Sequence, residues 1–360
     1  MIDSIKDLAD WLSEPTRYSI GTALLLLLVV RFRKWASHPV VFAITCVLIV
    51  AFFLVSWDDP NFNRIVTKPD NIPIIMMIGS LLFFTWLFLR RAVLNDERIK
   101  RGEPTLEGQY AKQKVHVWPD LVYIELICMV LFTVFLIAWS IEIEAPIEEP
   151  ASQARTPNPS KAPWYFLGLQ ELLVYFDPWI AGVLLPSFII VGLCAIPYLD
   201  KNPKGNGYYT YEERPFAINF FLVGFLLLWC SLIIMGTFLR GPNWSFFGPF
   251  EYWDPHKLEP MVNVNLSEYF WIYLLDQPRP ENIWLREAPG LASLFAYFVI
   301  LPPILGKTLF RKIATEMGPE RYNVMMHLFL WFVLVPIKMV MRWTLNLKYI
   351  VGIPEYFFNV

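Results

Sequence analysis

Long apolar stretches recur along this sequence at Tyr18–Val30, Pro39–Trp57, Pro73–Leu89, Trp118–Ile141, Pro178–Leu199, Pro215–Leu239, Pro289–Phe310 and Val324–Trp343. A helix needs about 20 apolar residues to cross the hydrocarbon layer of a bilayer. Within that layer only helices and closed barrels satisfy their own backbone hydrogen bonds. The expected fold is therefore all-α, a polytopic membrane helix bundle of about eight transmembrane helices. Tyr18–Val30 is short and becomes a span only by borrowing flanking residues, so a buried or re-entrant helix is the alternative there. With 56% hydrophobic and 17% aromatic residues in 360, the chain has more apolar surface than one aqueous core hides.

The net charge is −2, and the basic residues form short clusters beside apolar runs rather than a stripe, so no nucleic-acid partner is expected. RFRK (31–34), RRAVLNDERIKR (90–101) and KTLFRK (307–312) fall on one side of an eight-span chain, and the excess of Lys and Arg marks that side as cytoplasmic. The opposite side receives the acidic N-terminal segment, DDPNFNRIVTKPDN (58–71), the loop IEIEAPIEEPASQARTPNPSK (141–161) and Arg240–Glu287. MIDSIKDLADWLSEPTR lacks the basic start of a secretory signal and is not expected to be cleaved. The chain divides into a three-helix unit (1–95), a basic cytoplasmic linker (96–117), a middle three-helix unit (118–240, with a loop at 142–177), and an outer loop with two more helices (241–360).

Cys46, Cys128, Cys194 and Cys230 lie inside apolar runs without CxxC spacing and read as small buried hydrophobes. A b-type haem between helices needs paired histidines on facing spans. Of His38, His116, His256 and His327 only the last falls within a span, so no metal site and no haem ligated by this chain alone is expected. Nucleotide-binding glycine loops are absent from the sequence, which leaves proton and ligand chemistry at a membrane surface.

Residues 161–173, KAPWYFLGLQELL, fit that chemistry best. A helix starting near Ser160 takes Pro163 in its first turn, and Trp164, Gly168, Glu171 and Tyr175 then share one face. Flat apolar walls beside a carboxylate suit a quinol, whose oxidation needs a base for the ring hydroxyl proton. Pro163, Trp164, Tyr165, Phe166, Gly168 and Tyr175 are the candidate walls, with Glu171 as proton acceptor and Tyr165 beside it. An interfacial aromatic belt with a water-facing acid explains the same residues. At KVHVWPDLVYIEL (114–126), Asp120 opens a span, where an acid favours the helix dipole. It also stands near Lys114 and His116 as a candidate cytoplasmic-side quinone site. Glu125 lies deeper and needs a partner not visible in the sequence. Lys338 and Arg342, spaced i, i+4 near the end of the last span, are expected to snorkel to the outer interface.

The pieces WPDLVY (118–123), the acidic outer loop, PWYF (163–166), AIPYLD (195–200) and RPFA (214–217) together resemble the C-terminal half of cytochrome b, in its split form called subunit IV. The added C-terminal spans are similar to those of extended forms in bacterial quinol:cytochrome c reductases. That resemblance implies a bc-type complex in a bacterial inner membrane, oxidising menaquinol or ubiquinol and releasing protons outward. It implies b haems in a separate N-terminal half of cytochrome b, a Rieske iron–sulfur protein and a c-type cytochrome as partners, and a dimeric assembly. It also implies that Asp120 corresponds to an acid of the cytoplasmic quinone site. The family carries Pro-Glu-Trp-Tyr at the quinol oxidation pocket, where this chain has Ala162, Pro163, Trp164 and Tyr165. The motif glutamate is missing, and Glu171, two helical turns on, is the substitute candidate. The rival expectations are a structural or assembly subunit with a degenerate pocket, and a proton-coupled transporter, for which few mid-span acid or base pairs are present.

Overall fold

A computed structural model describes residues 2–110, 113–145, 147, 150–202, 207–259 and 262–360. Ala111 and Lys112 of the linker, and Pro146, Glu148 and Glu149 of the acidic loop, lie outside the described residues. The protein is helical almost throughout, with one two-residue strand pair, Gly352–Ile353 against Phe358–Asn359, among the described residues. Proline fixes where helices start. Pro15, Pro39, Pro60, Pro215, Pro289 and Pro319 each occupy the first or second position of a helix, where a missing amide hydrogen breaks no bond.

The principal helices are α1 (Ile2–Ser13), α2 (Pro15–Arg31), α3 (Pro39–Ser56), α4 (Pro60–Val66), α5 (Ile72–Lys100), α6 (Val117–Glu142), α7 (Trp164–Leu172), α8 (Ile180–Leu199), α9 (Pro215–Leu239), α10 (Ala288–Lys307) and α11 (Pro319–Leu345). Seven of them, α3, α5, α6 and α8 to α11, are long and apolar enough to cross a membrane. The α2 helix has 17 residues and spans about 25 Å at 1.5 Å per residue. The chain folds as two compact units, one of 1–160, 206–227 and 237–257, the other of 161–205, 228–236 and 258–360.

In the first unit, polar contacts gather in two layers. In one layer, Lys6 of α1 donates to Asp59 at 2.6 Å, the Phe250 amide donates to Asp10 at 2.9 Å, and Asn61 donates to the Phe250 carbonyl at 3.0 Å. In the other, Arg33 and Lys100 reach Glu212 at 3.2 and 2.8 Å, and Lys34 reaches Glu97 at 3.3 Å. Asp96, buried near the end of α5, accepts from the Thr210 hydroxyl at 2.5 Å and from the Tyr211 amide at 3.2 Å. The N-terminal segment and residues 58–71 thus share one layer, and the basic clusters at 31–34 and 90–101 share the other, as their charge patterning leads one to expect. The α2 helix leaves the first layer at Pro15 and arrives at the second by Arg33. It therefore runs between the same two layers as α3, despite its 17 residues.

Asp59 also caps α4, accepting from the Asn61 and Phe62 amides at 3.0 and 3.1 Å. Burial works to raise its pKa, but the Lys6 hydrogen bond and the two amides outweigh burial and hold the carboxyl below the ordinary range. A depressed carboxylate contributes stability above its unfolded pKa, which is lost as pH falls through the folded value. The expected result is that α1 loses amide protection selectively below about pH 4, measured by hydrogen exchange over residues 2–13. Protection of α1 that falls only together with that of α5 would contradict it.

The second unit packs α10 and α11 around Phe310, Tyr322, Met326 and Leu330. Trp331 of α11 sits between Phe298 of α10 and Phe188 of α8, with ring centroids at 4.8 and 5.1 Å. Beyond Leu345 the chain turns at Asn346, a left-handed residue with φ 51°, and folds back as a tail, residues 346–360. Gly290 at the start of α10 lets this tail approach, since a Cβ there would lie 2.1 Å from the Ile350 carbonyl oxygen.

Two sequence expectations change. None of the four cysteines is buried: Cys128 and Cys194 are exposed, and Cys46 and Cys230 are intermediate. Only 0 to 33% of each span's apolar window is buried within the chain, so a side chain in an apolar run often faces outward instead of into a core. Lys338 and Arg342 do not snorkel. They are 1% and 9% exposed, because the returning tail covers them.

Candidate quinol site

The α7 helix begins at Trp164 with Pro163 as its N-cap residue, four residues later than a start near Ser160. Pro163 has φ −53° and ψ 148°, an extended conformation. The Ala162 amide is satisfied by the Gln170 side chain at 2.9 Å. The helix ends at Leu172 because Asp177-Pro178 must open the next helix. Asp177 takes the N-cap role, its carbonyl accepting from the Ile180 and Ala181 amides at 3.0 Å, and the residue before a proline disfavours helical ψ. Tyr175 therefore lies in the turn after α7 and not on its face, correcting the i, i+11 placement. The turn is held by the Tyr175 and Phe176 amides donating to the Leu172 carbonyl at 3.0 and 2.9 Å.

One stripe of α7, Leu167, Gly168, Glu171 and Leu172, is buried. It packs on residues 229–236. A Cβ on Gly168 would lie 3.2 Å from Ile233 Cγ1, and one on Gly236 would lie 3.1 Å from the Leu167 carbonyl oxygen, so two missing side chains let these segments touch. Glu171 is wholly inside, at 0% exposure. Trp164, Tyr165 and Phe166 point outward at 44, 49 and 53% exposure, forming an aromatic surface that Trp229 extends at 5.4 Å from the Tyr165 ring. Of the residues expected at the site, Gly168, Glu171 and Tyr175 are buried. Pro163, Trp164, Tyr165 and Phe166 stand exposed at the start of α7.

Behind this loop stands a cluster that sequence reasoning did not assemble. Lys348 of the tail donates to the Leu173 and Val174 carbonyls at 3.0 and 3.4 Å, placing a cation where the end of α7 presents unsatisfied oxygens. Burial and the neighbouring charge of Arg342 push the Lys348 pKa down, and Asp177 opposes them. Lys338 donates to the Lys348 carbonyl at 2.6 Å and lies 5.6 Å from the Phe176 ring centroid. Arg342 donates to the Val262 and Asn346 carbonyls at 3.0 Å. Asp177 accepts from Asn359 at 3.0 Å and from the Tyr349 hydroxyl at 3.4 Å. Trp343 of α11 meets Tyr175 edge-on at 6.2 Å. A visible signal existed: two cations one turn apart near a span end, with no acid in reach, need backbone carbonyls from elsewhere.

On the first unit, Asp120 sits in the first turn of α6, as expected for a residue favouring the helix dipole. Lys114, His116 and Asp120 are all exposed, and no hydrogen bond or ion pair joins them. His38 and His116 occupy N-cap positions, His256 lies in a loop, and His327 of α11 bonds the Asn323 carbonyl at 2.8 Å. Among the described residues no three of His, Cys, Asp and Glu converge as a metal site.

No solved structure matches the chain. Residues 150–248 match the family model described as cytochrome b(C-terminal)/b6/petD, a segment that takes in α7, α8 and α9 but not WPDLVY at the start of α6. With α7 and its aromatic face inside the match and membrane helices on both sides of it, this chain carries a cytochrome b C-terminal-like domain within a longer polytopic membrane protein.

Proposed function

We propose that the chain is the quinol-pocket subunit of a bc-type quinol:cytochrome c oxidoreductase. The observation that carries this is the construction of α7: an exposed aromatic first turn, Trp164 to Phe166, on a helix that buries the carboxylate of Glu171 two turns further on, on the Trp164 side. The aromatic face supplies one flat wall for a quinol ring, and the haem-bearing half of cytochrome b supplies the other. Glu171 accepts the ring proton in place of the glutamate that Pro163 displaces, and Tyr165 orients the head group. The b haems and the Rieske cluster in partner chains take the two electrons, a c-type cytochrome receives one of them, and the protons leave on the positive side. Asp120, with Lys114 and His116, serves a second quinone site on the cytoplasmic side of the bacterial inner membrane.

Photoaffinity labelling of the assembled complex with an azido-quinone tests this directly. Label is expected on Trp164, Tyr165 or Phe166, and competition by excess menaquinol or ubiquinol is expected to remove it and to identify the quinone. A second reading, a structural subunit with a degenerate pocket, draws on the loss of the motif glutamate and the complete burial of Glu171. It requires that no competable label appear at 163–175.

A further inference from the structure

The α6 helix is 26 residues long, and no residue of its apolar window is buried within the chain. From Val122 to Ser140 its side chains are aliphatic, aromatic or small, with one exception. Glu125 stands five residues past Asp120, about 7.5 Å deeper along the axis. It is exposed, and it makes no hydrogen bond or ion pair with the described residues. Its neighbours on the helix surface, Leu121, Val122, Cys128, Met129 and Phe132, offer it no cation or donor.

We propose that α6 docks against a membrane helix of a partner chain that carries a lysine or arginine at the depth of Glu125. An ionised carboxylate facing acyl chains is strongly disfavoured, and intramembrane acids occur with a partner. A pair removed from water is retained where its geometry is good and its remaining hydrogen bonds are met. Headgroup cations sit at the level of Trp118 and Asp120, above Glu125, because Trp marks the interface. The apolar remainder of α6 fits a dry helix–helix contact, and the single carboxylate sets the rotation and depth at which the partner seats. This inference does not depend on the quinol reading, since it holds for any assembly that covers α6.

The test uses the assembled complex in its native membrane. A photoreactive residue at Met129, one turn from Glu125, is expected to crosslink to another protein chain, within a peptide whose apolar run contains Lys or Arg. Crosslinks to lipid alone, or to an apolar peptide without a basic residue, would overturn the proposal. With the tagged chain normalised by its amount in the membrane, Glu125→Lys is expected to lower partner recovery at least about tenfold. Glu125→Gln should lower it less, and an acidic residue at the crosslinked basic position of the partner should rescue Glu125→Lys. Full recovery with Glu125→Lys would equally overturn the ion pair.

Discussion

Replacing Glu171 by Gln should lower quinol:cytochrome c turnover of the assembled complex about a hundredfold, the low end of what a positioned general base contributes, while haem content stays at the wild-type level. Glutamine keeps the volume of a side chain that is completely buried, so the packing of α7 on residues 229–236 survives and the loss is chemical. Glu171→Ala should add a structural fault by opening a cavity in the buried stripe of α7. The two variants thus separate proton transfer from packing. Turnover is read by cytochrome c reduction with a soluble quinol, and haem by its reduced-minus-oxidised spectrum. If Glu171→Gln turns over like the wild type across the working pH range, Glu171 is not the proton acceptor.

Gly290→Ala should be the most damaging single change outside the proposed pocket. The added Cβ would meet the Ile350 carbonyl oxygen at 2.1 Å and the Val351 side chain at 2.8 Å. The first is backbone and cannot swing aside. The tail is held nearby at several points: Glu287, 1% exposed, accepts from the Gly352 amide at 3.1 Å, and Arg286 pairs with Glu355 through two bonds of 3.0 and 2.9 Å. Relief of the clash therefore means displacing residues 350–355 as a group. Overpacking of this kind costs about 3 kcal/mol, visible as a lower unfolding temperature and as early proteolytic cleavage of the tail. Because Lys348 on that tail holds the Leu173 and Val174 carbonyls, quinol turnover should fall with it. An unchanged melting temperature and cleavage pattern would show that α10 and the tail do not bear on each other as described.

The helices were legible because hydropathy along a single chain reports lipid-facing surface directly: Pro215–Leu239 has the same bounds in sequence and structure, and Pro39–Trp57 differs by one residue. Burial was not legible for the same reason. A residue in an apolar run, such as Cys128, is indifferent to whether it meets lipid or protein. The end of α7 was misjudged because helical spacing runs on through Tyr175 on paper, whereas Asp177-Pro178 reserves its backbone for the next helix. The polar cluster behind α7 depends on contacts between residues 175 and 182 apart, Lys348 with Leu173 and Asn359 with Asp177, and no local pattern carries those. The acid at 171 was conspicuous in sequence, but its complete burial, two turns past an exposed aromatic first turn, depends on Gly168 and Gly236 admitting a neighbouring segment.

The first unit holds a helix of 17 residues and one of 29 between the same pair of polar layers. The last turns of the long one, where Ala92, Val93, Asn95 and Asp96 are buried, form a post to which residues 209–212 are tied. Bilayer thickness bears most on the short helix, about 25 Å long, which is shorter than a hydrocarbon layer of about 30 Å. Lipids with longer acyl chains would have to thin around Pro15–Arg31, while the post and the residues it holds keep their contacts.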